Sequence, residues 1–227
     1  MNAVNTVHSD LARTKILVLG ATGGTGRLIV KQALARGFSV RVLARSAAKA
    51  SGLEDAEVVI GDARDESVLR HALEGMDAVV SALGTPASPF REVTLLSSAT
   101  TALVSAMKAA RVSRLVCITG MGAGDSAGHG GFVFDRLIFP ALLRKVYADK
   151  DRQEAIVRGS GPDWVLVRPS ILNDQAPGHE IRAPQGPLRF HGRGIGKSLC
   201  RPTRLEEFKG ASDRKQASHR RCVETGR

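Results

Sequence analysis

Three glycines at three-residue spacing, Gly20, Gly23 and Gly26, stand inside the run KILVLGATGGTGRLIV at residues 15–30. A short apolar segment of strand type precedes them, and an apolar helical pattern follows. Where a strand turns sharply into a helix, the N–H groups of the first helical turn have no intrahelical acceptor and lie at the positive end of the helix dipole. Such a corner attracts anions, and a diphosphate reaches the backbone closely only where side chains are missing. On this reading Gly20 allows the turn, Gly23 the close approach and Gly26 the tight helix–strand contact. Gly24 belongs to the same amide-lined corner, and Thr22 and Thr25 add hydroxyl donors. The position after a strand, at the start of a helix, is the context a dinucleotide site requires. The competing reading is a glycine-rich turn with no ligand.

Three further strand ends carry residues that suit the rest of a dinucleotide. The second strand runs out in VLARSAAK, which puts Arg45, with Ser46 and Lys49 beside it, 19 residues after Gly26. An NAD site places a carboxylate near this point to bind the ribose 2′-hydroxyl. A guanidinium instead suits a 2′-phosphate, so NADP is favoured and NAD remains open. Otherwise Arg45 is a solvated strand-end charge. The third strand ends in Gly61-Asp62-Ala63, with Asp62 placed to accept from the adenine amino group and Ala63 to lie against the ring. Asp65 is read as the N-cap of the next helix. The fourth strand ends in Ser81 followed by Ala82, Leu83 and Gly84, small enough to let ribose and nicotinamide pass.

These positions need a scaffold that brings strand ends together. Strand-type runs fall at 16–19, 39–44, 57–60, 78–81, 115–119 and 164–167, with helix-length segments at about 24–36, 65–74, 92–110 and 148–159 between them. The alternation predicts an α/β fold with a doubly wound parallel sheet, and the apolar strands predict helices on both faces. Ligands of such sheets sit beyond the carboxyl ends of the strands. Gly37 and Gly75 read as helix terminators. The apolar segment 132–147, FVFDRLIFPALLRKVY, is interrupted by Pro140. It reads as a pocket cap, a subunit contact or a helix buried on the sheet.

Composition narrows the function classes. The 227 residues are 43% hydrophobic, enough for one sizeable core. Residues 1–14 lack an apolar signal core, and no apolar run is long enough to span a bilayer. Cys117, Cys200 and Cys222 show neither metal nor disulfide spacing, and no metal site is expected. A cytoplasmic protein with no membrane association is the expectation. The net charge of +11 raises a nucleic-acid reading, but residues 177–227 hold 12 Lys+Arg against 5 Asp+Glu, so most of the excess sits there. That segment is poor in apolar residues and without periodicity, and Phe190 and Phe208 are its only rings. Nucleic acid is therefore not the expected partner. The chain divides into a binding domain at 14–175 and a basic, irregular segment at 176–227.

The motifs GATGGTG (20–26), Arg45, GDARD (61–65), EGMDAVVSALG (74–84), VCITGMGAGDS (116–126) and DKDRQEAIVRGSGPDWVLVRPS (149–170) together resemble the atypical short-chain dehydrogenase/reductases. The resemblance is to their NAD(P)H-binding branch, which includes NmrA-like proteins and biliverdin reductase B/flavin reductase. It covers residues 14–175 and implies a Rossmann-like fold. It also implies an NADP(H)-dependent oxidoreductase that passes hydride to a small flavin, quinone or carbonyl acceptor. The alternative within the family is a coenzyme-binding redox sensor without turnover. The Tyr-x-x-x-Lys pair of better-known relatives is absent: Tyr147 is the one tyrosine, and Asp151 lies four residues on. Lys150, three residues on and assigned to the next helix, falls where relatives place a coenzyme-contacting Lys or His. It is read there as a catalytic and cofactor-binding residue, or else as an exposed helix lysine. By the same resemblance Thr119 lies near the reacting carbon as a donor to substrate, though an unassisted hydroxyl is a poor acid. Pro169 and Ser170 line the nicotinamide pocket in relatives. The glycine-rich loop 122–131, with His129, is read as a cover for a small-molecule substrate. Either a monomer or a homodimer is compatible with these features. After Gln175 the sequence departs from the family, and its Arg, Gly and His content resembles translation in an altered frame, which the coding DNA would test.

Overall fold

Alternation of apolar residues in the first strand already assigns the two faces of a sheet. In the computed structural model, which describes residues 14–86, 92–120, 123, 143–169, 172–173, 195–196 and 223–226, β1 (Lys15–Leu19) is an inner strand of that sheet, paired on both sides. Around it lie β2 (Ser39–Ala44), β3 (Glu57–Ile60), β4 (Ala78–Ser81), β5 (Arg114–Ile118) and β6 (Asp163–Val167) in the order β3-β2-β1-β4-β5-β6, all parallel. Ile16 and Val18 face one side, where they pack with Val40 and Val42 against Val30 and Ala33 of α1 (Gly24–Leu34). Leu17 and Leu19 face the other and join Val79, Leu115 and Leu166. That side is covered by α3 (Glu66–Leu73), α4 (Leu95–Ala110) and α5 (Arg144–Arg158) through Leu69, Leu73, Leu103, Met107 and Val157. A short α2 (Ala47–Ala50) follows β2. The doubly wound α/β reading holds, and because the six strands are parallel their carboxyl ends share one edge.

Several boundaries differ from those read in the sequence. α5 starts at Arg144, not near 148, so Tyr147 and Lys150 share one helix rather than belonging to two. Its buried side carries Val146, Asp149, Gln153, Glu154 and Val157, and apolar periodicity does not reveal a stripe that includes three polar residues. β3 is the outer strand, and its Val58 and Ile60 are exposed rather than covered. Asp65 does cap α3, accepting from the amides of Ser67 (2.8 Å) and Val68 (3.4 Å). In the basic segment, β8 (Ile195–Gly196) pairs in parallel with β7 (Leu172–Asn173), and β9 (Val223–Gly226) adds to β6 as a seventh, antiparallel strand. The loop with His129, most of the apolar segment 132–147, Ser170 and the remainder of the basic segment lie outside the described residues. No helix among the described residues is long and apolar enough to cross a membrane.

Candidate functional site

The corner after β1 is set by glycine geometry. Gly20 has φ +74°, and a Cβ there would lie 2.4 Å from the carbonyl oxygen of Ala82. A Cβ on Gly26 would lie 2.1 Å from the carbonyl oxygen of Gly20, so α1 crosses β1 at a distance no side chain allows. Gly23 is different: among the described residues a Cβ would meet only the Gly20 oxygen, at an ordinary 3.5 Å. The protein's own packing does not demand glycine at this position, as expected where the open side belongs to a ligand. Gly23 is the N-cap residue and α1 has no side-chain cap. Its first intrahelical bond runs from Arg27 N to Gly23 O (2.9 Å), leaving the amides of Gly24, Thr25 and Gly26 ahead of it. A diphosphate fits this set of donors, and Thr22 and Thr25, both half-buried, flank it.

The residues expected to meet the adenosine follow along the same edge. Arg45 is exposed just beyond β2, with Ser46 and Lys49 at either end of the α2 turn. Asp62, beyond β3, is paired with Arg64 through bonds of 3.0 Å and 2.6 Å. The side chain and amide of Arg64, aided by the charge of Arg45, hold the Asp62 carboxyl down at about 2. An Asp62 neutralised in this way does not repel a phosphate at Arg45, and its oxygens retain lone pairs for a further donor. Ala63 lies beside it, half-buried. Ala82 and Leu83 are half-buried beyond β4, and Gly84 is exposed with open space where a side chain would be.

At the other end, α5 lies across the ends of β5 and β6. Glu154 is fully buried and accepts from Thr119 Oγ1 (2.7 Å), Arg168 Nε (2.9 Å) and Nη2 (2.7 Å), and Arg158 Nη2 (3.1 Å). Burial alone would raise its pKa. The bonds from Arg168 and Thr119 and the charges of Arg168 and Arg158 outweigh burial and lower it, so the carboxylate stays ionised. The hydroxyl proton of Thr119 is thus directed at Glu154 rather than at a substrate, leaving Thr119 an acceptor toward the cleft. Lys150 Nζ donates to the carbonyl of Thr119 (3.1 Å) and lies 4.9 Å from the centre of the Tyr147 ring. It rests against Gly120, where a Cβ would come within 2.6 Å of Nζ and 3.8 Å of the Tyr147 hydroxyl. Burial lowers the Lys150 pKa and Glu154 only partly restores it, while burial raises that of Tyr147. Lys150 is therefore half-buried and engaged, not an exposed helix lysine. Pro169 follows Arg168 at the end of β6.

Sequence reasoning missed Glu154 and the roles of Arg168 and Asp149. Asp149, also fully buried, accepts from the amides of Leu96 (2.8 Å) and Ser97 (3.3 Å) and so caps α4 from a neighbouring helix. A signal existed: a Glu in the helix preceding β6 and an Arg closing that strand are complementary charges in otherwise apolar surroundings. Among the described residues no cluster of His, Cys, Asp or Glu offers a metal site, and Cys117 is buried, its thiol pushed up to about 12 by desolvation.

A parallel sheet whose strand ends form a glycine corner flanked by small and basic residues defines a Rossmann-like α/β protein of the nucleotide-binding class. The family described as NAD(P)H-binding matches residues 20–198, and the chain belongs to it. The match continues past Gln175 into the basic segment. The chain is 30% identical over 159 residues to an NAD(P)H azoreductase of Xenophilus azovorans, covering 69% of this chain and 48% of that protein. It is 28% identical over 192 residues to an uncharacterized chloroplastic protein of Arabidopsis thaliana, covering 77% and 65%. A 104-residue stretch is 34% identical to the photosystem II assembly factor Ycf39 of Cyanophora paradoxa, covering 44% of this chain and 32% of that one. The chain thus spans less than two-thirds of the length of each of these relatives. Among solved structures, the anaerobillin reductase ChuY of Escherichia coli O157:H7 superposes with a TM-score of 0.67 at 25% identity over 82% of this chain and 85% of that one. A short-chain dehydrogenase/reductase of Veillonella parvula, solved with NADP, gives 0.65 at 14% identity over 82% of each chain, a likeness of fold.

Proposed function

We propose that the protein is an NADP(H)-dependent oxidoreductase that reduces a small conjugated acceptor such as a flavin, a quinone, a carbonyl compound or, as the names of two relatives suggest, an azo or bilin-type compound. The observation that carries this reading is the set of unengaged amides at Gly24, Thr25 and Gly26 behind the open face of Gly23. These amides hold the diphosphate. Arg45, Ser46 and Lys49 bind the 2′-phosphate, and Asp62 and Ala63 the adenine. Ala82, Leu83 and Gly84 border the nicotinamide ribose, which Lys150 contacts from α5, with Pro169 on the nicotinamide side. The coenzyme supplies the hydride. The proton comes from solvent, since the hydroxyl of Thr119 is spent on Glu154. Calorimetric titration with NADPH and NADH, followed by absorbance of the reduced nicotinamide in the presence of FMN, menadione, biliverdin or an azo dye, tests the reading. Uptake of neither coenzyme refutes it.

Two observations favour a second reading. Thr119 lacks a free proton, and Tyr147 and Lys150 are three rather than four residues apart. A protein that binds the coenzyme and signals its redox state without turnover needs no proton donor. Tight binding with no reduction of any acceptor selects it.

A further inference from the structure

We infer that Arg27 is a positioning residue for coenzyme discrimination: from the first turn of α1 it clamps the segment that presents Ser46 and Lys49 to the 2′-phosphate. Its guanidinium donates from Nη1 to the carbonyl of Ser51 (2.7 Å) and from Nη2 to the carbonyl of Lys49 (3.1 Å). Both terminal nitrogens are thus turned onto the backbone of the turn after β2. The turn is shaped to receive them: Gly52 has φ +81°, and a Cβ there would come within 3.0 Å of Arg27 Nη1. Glu54 closes the same turn by accepting from the Gly52 amide (2.7 Å).

Little else holds this segment. Ala47, Ala48, Lys49, Ser51 and Gly52 are exposed, and only Ala50, Leu53 and Ala56 reach the core. α2 is a four-residue helix with no side-chain cap on Ser46. These three anchors set its distance from the sheet, and the two bonds from Arg27 add the side-chain tie across to α1. Because Arg27 directly follows Gly26, one residue links the diphosphate corner to the 2′-phosphate ligands. Geometry of a charged group matters most for a ligand that is itself charged and directional. NADPH therefore feels the clamp and NADH, with a hydroxyl there, does not.

The inference rests on the NADP(H) reading above. The test compares wild type, R27Q and R27K as full-length chains, by calorimetry with NADPH and NADH and with the halves 2′,5′-ADP and 5′-AMP. R27Q is expected to weaken NADPH and 2′,5′-ADP roughly tenfold while NADH and 5′-AMP change less than about twofold, since one charge-assisted clamp is lost. R27K, whose ammonium is a point donor that spans one carbonyl rather than two, is expected to give an intermediate ratio. It carries the test alone if R27Q does not fold. An equal loss for both coenzymes, an unchanged ratio in R27Q, or a wild-type ratio in R27K overturns the inference while leaving coenzyme binding intact. Wild type that takes up neither coenzyme removes the underlying reading, and the clamp with it.

Discussion

Replacement of Glu154 by Gln probes the element that joins the ends of β5 and β6. The carboxylate accepts four hydrogen bonds, three of them from guanidinium groups. An amide has one acceptor oxygen, and its NH2 must then face a donor, so at least one guanidinium bond is lost. Arg168 is 5% exposed and cannot recover its solvation by moving outward. Breaking such a buried pair costs about 3–5 kcal/mol. The contribution of Arg158 is discounted because its side chain is 32% exposed. With a urea m-value of roughly 2 kcal/mol/M, the unfolding midpoint of E154Q should fall by about 1.5–2.5 M. The double variant E154L/R168M removes both charges and should regain most of that loss. Part of the wild-type dependence on pH follows the same carboxylate, beside the contribution of Asp62. Its folded pKa lies below the ordinary 4.5, so its stabilisation is complete above that value and is lost as pH falls through the lower folded one. E154Q should flatten the stability profile in that acid window. An E154Q midpoint within about 0.3 M of wild type, or a double variant no better than E154Q, would refute the reasoning.

Gly26→Ala forces a methyl to within 2.1 Å of the Gly20 oxygen, so α1 must move away from β1; a loss of about 1–3 kcal/mol in urea unfolding is expected, together with coenzyme uptake abolished in calorimetry. For Lys150, burial lowers the pKa below the ordinary 10.5, so NMR of the ε-methylene in selectively labelled protein should show a midpoint below that of an exposed lysine, and K150M should reduce turnover more than stability. Arg111 ends α4 in the left-handed region at φ 57°; Arg111→Gly should stabilise the fold by about 1 kcal/mol in thermal or chemical unfolding, and a loss of stability would count against the backbone assignment.

The part of the site that could be read from the sequence is the part coded locally. Gly20, Gly23 and Gly26 act within seven residues of one another, and Asp65 caps amides two and three positions on. Such motifs need no knowledge of the fold. The parallel sheet followed from alternation, but not its strand order or the exposure of β3, since an apolar run reads the same whether its outer face is covered or not. Glu154, Asp149 and Gln153 stayed hidden because each finds its partner across the fold: Thr119 is 35 residues from Glu154, Leu96 is 53 from Asp149 and Thr100 is 53 from Gln153. With polar groups on its buried side, α5 breaks the apolar period that marks a helix, which is why its first turn read as something else. β9 is four residues with no pattern, and its pairing with β6 comes from the sheet edge it meets.

This division has a consequence for how the site loosens. The glycine corner is held by sterics, and the Arg27 clamp by guanidinium bonds to carbonyls, neither of which involves Glu154. The ends of β5 and β6, and with them Lys150 and Thr119, are joined by the backbone bond from Thr119 N to Val167 O (2.9 Å) and by one titratable carboxylate that three donor groups share. On the NADP(H) reading, protonating or neutralising Glu154 is therefore expected to loosen the residues of the nicotinamide half first and to leave those of the adenosine half standing. On the NADP(H) reading, E154Q should keep its affinity for 2′,5′-ADP within about threefold while turnover with the best acceptor falls by tenfold or more, roughly the loss expected when a positioned group drifts. A parallel loss of 2′,5′-ADP affinity and turnover would mean that the two halves form one cooperative unit, and that the long-range ion pairs of α5 hold the glycine corner as well.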